Sequence, residues 1–211
     1  MARKRVAILI SGRGSNMVAL IEAAKDERYP AEIVVVVSND PAAGGLARAA
    51  EAGILTAVVD HRSFGRDREA FEHALQGELE SHRIELVCLA GFMRLLTPWF
   101  VRQWDGRLLN IHPALLPAFK GLDTHARALA AGVKEHGATV HFVVPEMDSG
   151  PIVAQAAVAV LPGDTEATLA ARVLEAEHRI YPRALKLVAE GRVRIVDGRC
   201  LIDGQPAATH S

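Results

Sequence analysis

Short apolar segments that alternate with amphipathic segments predict an α/β fold with a mostly parallel sheet. Five apolar runs in the first half of the chain are typical of strands buried on both faces. Segments with helical spacing separate them, and strands that alternate with helices imply right-handed βαβ units. Two later strand-like runs lack room for a crossover helix between them, which predicts an added antiparallel region.

The predicted elements follow in order along the chain. The five buried strands are expected at 6–10, 33–37, 56–59, 84–90 and 108–111. Helices with one apolar face are expected at 17–25, 46–52 and 66–83. Together they predict a twisted, Rossmann-like sheet with helices on both faces.

The second half of the sequence changes character. Runs 138–144 and 152–160 are joined only by residues 145–151, so this pair is predicted to be antiparallel. A long helix is expected from Asp164 to about Glu190, with Thr165 as an alternative cap and a kink or break at Pro182. A small hairpin at 193–196 and 200–202 precedes a polar tail.

Composition excludes several classes of protein. The chain has 211 residues, 50% of them hydrophobic, with 24 Lys and Arg against 25 Asp and Glu. This near-zero charge gives no field for a general nucleic-acid binder, and no apolar run is long enough to cross a bilayer. The apolar run after the basic N-terminus is too short for a signal peptide, so we expect a cytoplasmic protein with Cys88 and Cys200 as reduced thiols.

A glycine-rich segment, Ser11-Gly12-Arg13-Gly14-Ser15-Asn16, lies between the first strand and the first helix. Glycines let a backbone approach an anion, and a helix start presents N–H groups with partial positive charge. The segment lacks the third glycine of a dinucleotide fingerprint and contains no GxxxxGK[ST] motif. It therefore indicates either a phosphate site or a tight turn.

Asn110 and His112 stand two residues apart at the carboxyl end of a predicted strand, so they should share one face. An amide can hold a developing oxyanion while an imidazole transfers a proton, which favours acyl chemistry. The alternative is a histidine that only ends a strand. Asp148 lies in the turn before Ser149-Gly150-Pro151; it either shapes that turn or stabilises the charged form of His112.

Other candidates are open or weaker. Nine histidines occur without HExxH or a Cys/His cluster, so we expect no bound metal. His141 either lines the same site or packs in the core. Glu177 and His178 on the long helix fit a solvated face.

Four segments in order, ISGRGSN, AGFMRLL (90–96), LLNIHPALLP (108–117) and HFVVPEMDSGPI (141–152), resemble the phosphoribosylglycinamide formyltransferase family of purine synthesis. The resemblance runs from Val6 to about Gly191. It implies one formyltransferase domain over 1–211, with a nucleotide-phosphate half at about 1–100, a catalytic and folate half at about 101–190, and a hairpin and tail at 191–211.

The resemblance also implies roles for individual residues. The family moves a formyl group from 10-formyltetrahydrofolate to the amine of glycinamide ribonucleotide, with Asn110, His112 and Asp148 at its catalytic positions. The ribonucleotide positions correspond to Gly14, Ser15, Asn16 and Glu177. The folate positions correspond to Arg68, Met93, Arg94, Leu95, Leu96, Asn110, Pro145, Glu146, Met147 and Asp148.

Departures and rivals remain at this point. Ala114 replaces a serine that usually precedes Leu-Leu-Pro, Phe119-Lys120-Gly121 follows a rarer version, and residues 192–211 match no motif. Related tRNA formyltransferases carry an added C-terminal domain and formyl-folate hydrolases an N-terminal one, so both are disfavoured. A catalytically silent phosphate-binding module is the other alternative. We expect small-molecule substrates, no nucleic-acid or membrane partner, and a monomer or homodimer.

Overall fold

A computed structural model describes residues 2–207. Seven strands form one sheet in the order β3-β2-β1-β4-β5-β6-β7. Their bounds are β1 Lys4–Ile10, β2 Ala31–Ser38, β3 Leu55–Val58, β4 Leu86–Leu89, β5 Leu108–His112, β6 Glu135–Phe142 and β7 Ile152–Ala159. The helices are α1 Ser15–Ala24, α2 Gly44–Glu51, α3 Arg68–Ser81, α4 Pro98–Gln103, α5 Thr124–Ala130 and α6 Glu166–Ala189. The predicted α/β class with a mostly parallel sheet is confirmed.

By the clustering of its contacts, the chain divides into a unit that ends at Leu109 and a unit that begins at Asn110. In the first unit β1 pairs in parallel with both β2 and β4, and β2 pairs in parallel with β3. The strand order reverses between β1 and β4, and ligands of such sheets bind outside the carboxyl ends of the strands at that point. The segments that follow β1 and β4 meet there, because the Ser11 amide donates to the Gly91 carbonyl at 3.1 Å.

One of the five strands predicted to be buried is not. β3 lies at the edge of the sheet, and Leu55, Thr56 and Val58 on it are exposed. The prediction was wrong because an apolar run alone does not distinguish a central strand from an edge strand. The other four strands carry the buried core of the sheet.

In the second unit β6 and β7 are antiparallel, as predicted. Their register shifts beside the candidate site: Val140 pairs with Ala154 but His141 pairs with Ile152, so β7 carries one extra residue. Bulges of this kind bend a strand and change the direction of its side chains. Here the extra residue of β7 lies opposite the step from Val140 to His141.

The long helix begins with the alternative cap. The Thr165 hydroxyl accepts from the Thr168 amide, whereas Asp164 forms an ion pair with Arg172 at 2.7 Å. The helix is not broken at Pro182, because burial of flanking residues such as Tyr181 and Leu185 outweighs the lost backbone hydrogen bond.

Several short elements escaped sequence analysis. α4 and α5 have six and seven residues, too few to repeat a helical pattern, and a 3-10 helix spans His61–Phe64. The predicted hairpin is present as β8 Val193–Val196 and β9 Arg199–Ile202, and β10 Gln205–Pro206 adds a third strand. The end of the predicted tail, 208–211, lies outside the described residues.

Among residues 2–207, no helix is long and apolar enough to cross a lipid bilayer.

Candidate active site

Four polar side chains of the second unit form one cluster: Asn110, His112, His141 and Asp148. Asn110 and His112 alternate with buried Ile111 on β5, so both lie on one face of the strand. Asn110 Nδ2 is 3.3 Å from His141 Nε2, and Asp148 lies 3.5 Å from His112 Nδ1 and 3.7 Å from His141 Nε2. The structure thus brings together the three residues that the sequence singled out, with His141 between two of them.

Asp148 is held in place by its backbone and by a neighbouring loop. Its φ of 49° is in the left-handed region, which aspartate adopts more readily than most side chains, and its carboxylate is 11% exposed. The Gly121 amide donates to Asp148 Oδ2 at 2.9 Å. Two residues on, a Cβ added at Gly150 would lie 1.8 Å from the Phe142 carbonyl oxygen, so only glycine closes this turn.

Both ring nitrogens of buried His112 face acceptors. Nε2 is 2.9 Å from the Phe119 carbonyl oxygen, which can only accept, so Nε2 carries a proton. Nδ1 faces the Asp148 carboxylate at 3.5 Å. The two ring nitrogens of His112 thus face a backbone carbonyl oxygen on one side and a carboxylate oxygen on the other.

His141 has the opposite character. Its Nδ1 donates to the Phe142 carbonyl at 2.9 Å, and burial lowers the pKa of His141 below its ordinary value. The neutral ring keeps a lone pair on Nε2, which accepts from the Asn110 amide nitrogen. This hydrogen bond fixes which end of the Asn110 amide is the nitrogen.

The glycine-rich segment of the first unit is built from backbone groups. Gly14, with φ 68°, stands in the left-handed conformation immediately before α1, and Gly12 accepts a 2.9 Å hydrogen bond from the Gly45 amide. In the described part of the chain, no side chain caps the first turn of α1. A helix start without such a cap can donate its N–H groups to a phosphate.

Some of the positions compared with a folate site, Arg68 and residues 93–96, belong to the first unit. Arg68 donates to the Leu95 carbonyl at 2.5 Å, and the Met93 amide donates to the Ser11 hydroxyl at 2.7 Å. Met93 and Leu95 are each 67% exposed, while Arg94 and Leu96 are partly buried. Exposed apolar side chains such as Met93 and Leu95 are suited to contact a flat organic ligand.

The other singled-out residues belong to the second unit. Pro145, Glu146 and Met147 are exposed on the loop that leads to Asp148. Glu177 is buried on α6, which corrects the interpretation of this helix position as a solvated face.

No group of three metal-ligating side chains occurs among the residues that the structure describes.

The chain is similar to known proteins in sequence and in structure. The model of the formyl transferase family matches residues 4–185, which covers most of the chain. The chain belongs to the formyl transferase family. The phosphoribosylglycinamide formyltransferase of Escherichia coli is 45% identical over 95% of this chain and 94% of its own length. The crystal structure of glycinamide ribonucleotide transformylase 1 from Symbiobacterium toebii superposes with a TM-score of 0.92 at 46% identity, covering 95% and 94% of the two chains.

A longer relative is similar over the same region. The chicken trifunctional purine biosynthetic protein adenosine-3 is 52% identical over 90% of this formyl transferase family member. The chain spans 19% of the length of that relative.

Two backbone groups that complete the cluster were not predicted from the sequence of this formyl transferase family member. They are the Phe119 carbonyl, which accepts from His112, and the Gly121 amide, which donates to Asp148. Both lie in the segment 119–121, and every residue carries such groups, so no sequence pattern marks them. The sequence indicates that His141 either lines the site or packs in the core, and the structure shows both. His141 is buried, and it contacts Asn110 and Asp148.

Proposed function

We propose that this chain transfers the formyl group of 10-formyltetrahydrofolate to the amine of glycinamide ribonucleotide, a step of purine synthesis. The products are formylglycinamide ribonucleotide and tetrahydrofolate. The observation that carries the proposal is the cluster of Asn110, His112 and Asp148 in a member of the formyl transferase family. The E. coli relative of nearly the same length is named phosphoribosylglycinamide formyltransferase.

The chemistry assigned to the cluster follows from its hydrogen bonds. The substrate amine attacks the formyl carbon, a C–N bond forms, and the formyl oxygen becomes negatively charged. Asn110 gives one amide hydrogen to His141 and has a second for this oxyanion, and charged His112 stabilises the same oxygen. Asp148 keeps His112 charged, since its carboxylate faces Nδ1.

Collapse of the intermediate needs a proton transfer. The bond between the formyl carbon and the folate nitrogen breaks, that nitrogen takes up a proton, and the attacking amine loses one. His112 is the proposed donor, directly or through a water molecule. In the structure its Nε2 proton is directed at the Phe119 carbonyl, so transfer through Nε2 first requires this hydrogen bond to break.

The ribonucleotide is assigned to Gly14, Ser15, Asn16 and Glu177. The first three form the start of α1, where backbone N–H groups and the helix dipole favour a phosphate. Glu177 is proposed to contact the glycinamide portion, because a carboxylate can accept from an amine or amide. Glu177 is buried on α6, so it does not belong to a solvated helical face.

The folate donor is assigned to Arg68 and to the segments 93–96 and 145–148, together with Asn110. The exposed apolar side chains of Met93 and Leu95 support this assignment, as does the hydrogen bond that ties Arg68 to Leu95. No metal is needed for the proposed steps.

We further propose the cytoplasm as the compartment and only small molecules as partners, with the chain acting as a monomer or homodimer. Cys88 and Cys200 are both buried thiols, which fits a reducing compartment.

The test is formyl transfer from 10-formyltetrahydrofolate, followed by absorbance, with glycinamide ribonucleotide present and then omitted. Turnover that depends on the ribonucleotide supports the proposal. Release of formate without it would identify a hydrolase instead, and binding of the ribonucleotide without turnover in either assay would identify a silent binding module.

A further inference from the structure

We infer that Gly45, on α2, is a positioning residue that holds the glycine-rich segment in its phosphate-binding conformation. This inference rests on the proposed function of that segment. Gly45 lies outside every motif considered above, 33 residues after Gly12. It is buried, and its amide donates to the Gly12 carbonyl at 2.9 Å.

Two residues of α2 hold two successive carbonyl groups of the segment. Gly45 binds the Gly12 carbonyl, and Arg48 Nη1 donates to the Arg13 carbonyl at 3.4 Å. In a planar trans peptide the N–H points opposite to the C=O. Because both carbonyls are directed at α2, the amide hydrogens of Arg13 and Gly14 are directed away from α2, as donors to an anion must be.

The contact leaves no space for a side chain at position 45. A Cβ there would lie 2.6 Å from Ile10 Cδ1, 3.0 Å from the Gly12 oxygen and 3.4 Å from the Arg13 carbonyl carbon. The Gly45 Cα itself is 3.3 Å from the place of a Cβ at Gly14. Ile10 is fully buried, which restricts movement of its Cδ1, and the added methyl group also presses on the Gly12 peptide, which must shift by a few tenths of an ångström.

The preceding residue provides a matched control. Gly44 is on the same helix, and among residues 2–207 no heavy atom outside the local backbone lies within 4 Å of a Cβ built on it. Gly44→Ala and Gly45→Ala make the same chemical change with the same gain in helix propensity. The two variants differ in whether the added methyl group contacts the glycine-rich segment.

The experiment measures kcat, and KM for each substrate, in the wild-type chain and both variants. Loss of one aligned hydrogen bond to a charged phosphate predicts a KM for glycinamide ribonucleotide raised about 10-fold or more in Gly45→Ala. The KM for 10-formyltetrahydrofolate and kcat should change less than about 2-fold, and Gly44→Ala should match the wild type. Equal values in the two variants, or an equal rise in both KM values, would overturn the inference.

A second variant keeps the test informative if Gly45→Ala does not fold. Ile10→Val with Gly45→Ala removes the 2.6 Å contact with Cδ1 but retains the 3.0 Å approach to the Gly12 oxygen. The double variant should fold and still show the selective rise in ribonucleotide KM, measured against Ile10→Val alone. A normal KM in the folded double variant would overturn the inference. If the wild-type chain itself shows no ribonucleotide-dependent turnover, the proposed function has failed instead.

Discussion

The glycine-rich segment of the first unit and the polar cluster of the second are built from different chemical groups. The polar cluster consists of Asn110, His112, His141 and Asp148. The first uses backbone groups, a left-handed glycine and the start of a helix. The second uses titratable side chains, and among residues 2–207 the histidines with lowered pKa values, His125, His136, His141 and His178, all belong to the second unit. Backbone N–H groups do not titrate, so we expect the first region to control KM and the second to control kcat and its pH dependence.

The largest expected effect is on kcat in His112→Ala. General acid catalysis contributes about 10²- to 10⁴-fold, so kcat should fall by that factor while both KM values stay within a few-fold. Steady-state kinetics measures the split, and circular dichroism checks that the variant is folded. Near-normal kcat would remove His112 from the role and break the contrast between the two regions.

Asp148→Asn should lower kcat by about 10²-fold, because an amide does not stabilise the imidazolium as a carboxylate does. Both KM values should stay within a few-fold, because Asp148 contacts His112 and is proposed to act through it. Asp197→Asn is the control, since Asp197 has a similar φ of 48° in an exposed turn. Near-normal kcat in Asp148→Asn, or an equal loss in Asp197→Asn, would contradict the proposed effect of Asp148 on His112.

Acid should destabilise the fold through His136, which is buried on β6. Burial lowers the pKa of His136 from its ordinary 6.5 to about 4. Above pH 6.5 neither state binds a proton there; as the pH falls from 6.5 to 4, the unfolded chain gains one and the folded chain does not. The free energy of unfolding should therefore fall by about 3 kcal/mol over that window.

His136→Gln removes this titration, so its free energy of unfolding should decline less steeply between pH 7 and 4. Urea titrations at several pH values measure the slope. Parallel pH profiles for the wild type and the variant would show that acid acts elsewhere.

The smallest expected effect is on the KM for 10-formyltetrahydrofolate in Arg68→Ala. The exposed guanidinium donates to the Leu95 carbonyl, and loss of one such hydrogen bond predicts a KM raised about 5-fold with kcat unchanged. Arg66→Ala, an exposed arginine two residues earlier, is the matched control and should leave both constants unchanged. A change in kcat for Arg68→Ala would contradict the assignment of Arg68 to folate binding.

Sequence patterns predict this fold where burial repeats along the chain. The apolar runs of β1, β2, β4 and β5 and the antiparallel pair β6 and β7 were found because buried strands leave a compositional mark. α4 and α5 were missed because they are short, and the exposure of β3 was missed because sheet order is a long-range property.

In the candidate site, too, local features could be predicted from the sequence and long-range contacts could not. Asn110 and His112 could be placed on one face from their spacing, whereas the distance from His112 to Asp148 depends on how the chain folds between them. Backbone contributors such as the Phe119 carbonyl have no residue signature. Gly45 is similar, since its importance comes from a contact with a segment 33 residues away.

The left-handed backbone at Asp148 has a consequence for laboratory evolution. A glycine would adopt φ 49° without strain, so Asp148→Gly can relieve about 1 kcal/mol of conformational energy while it deletes the carboxylate beside His112. A screen that selects only for heat resistance would therefore accept a substitution that removes a proposed catalytic carboxylate. Libraries designed to stabilise this enzyme should keep position 148 fixed.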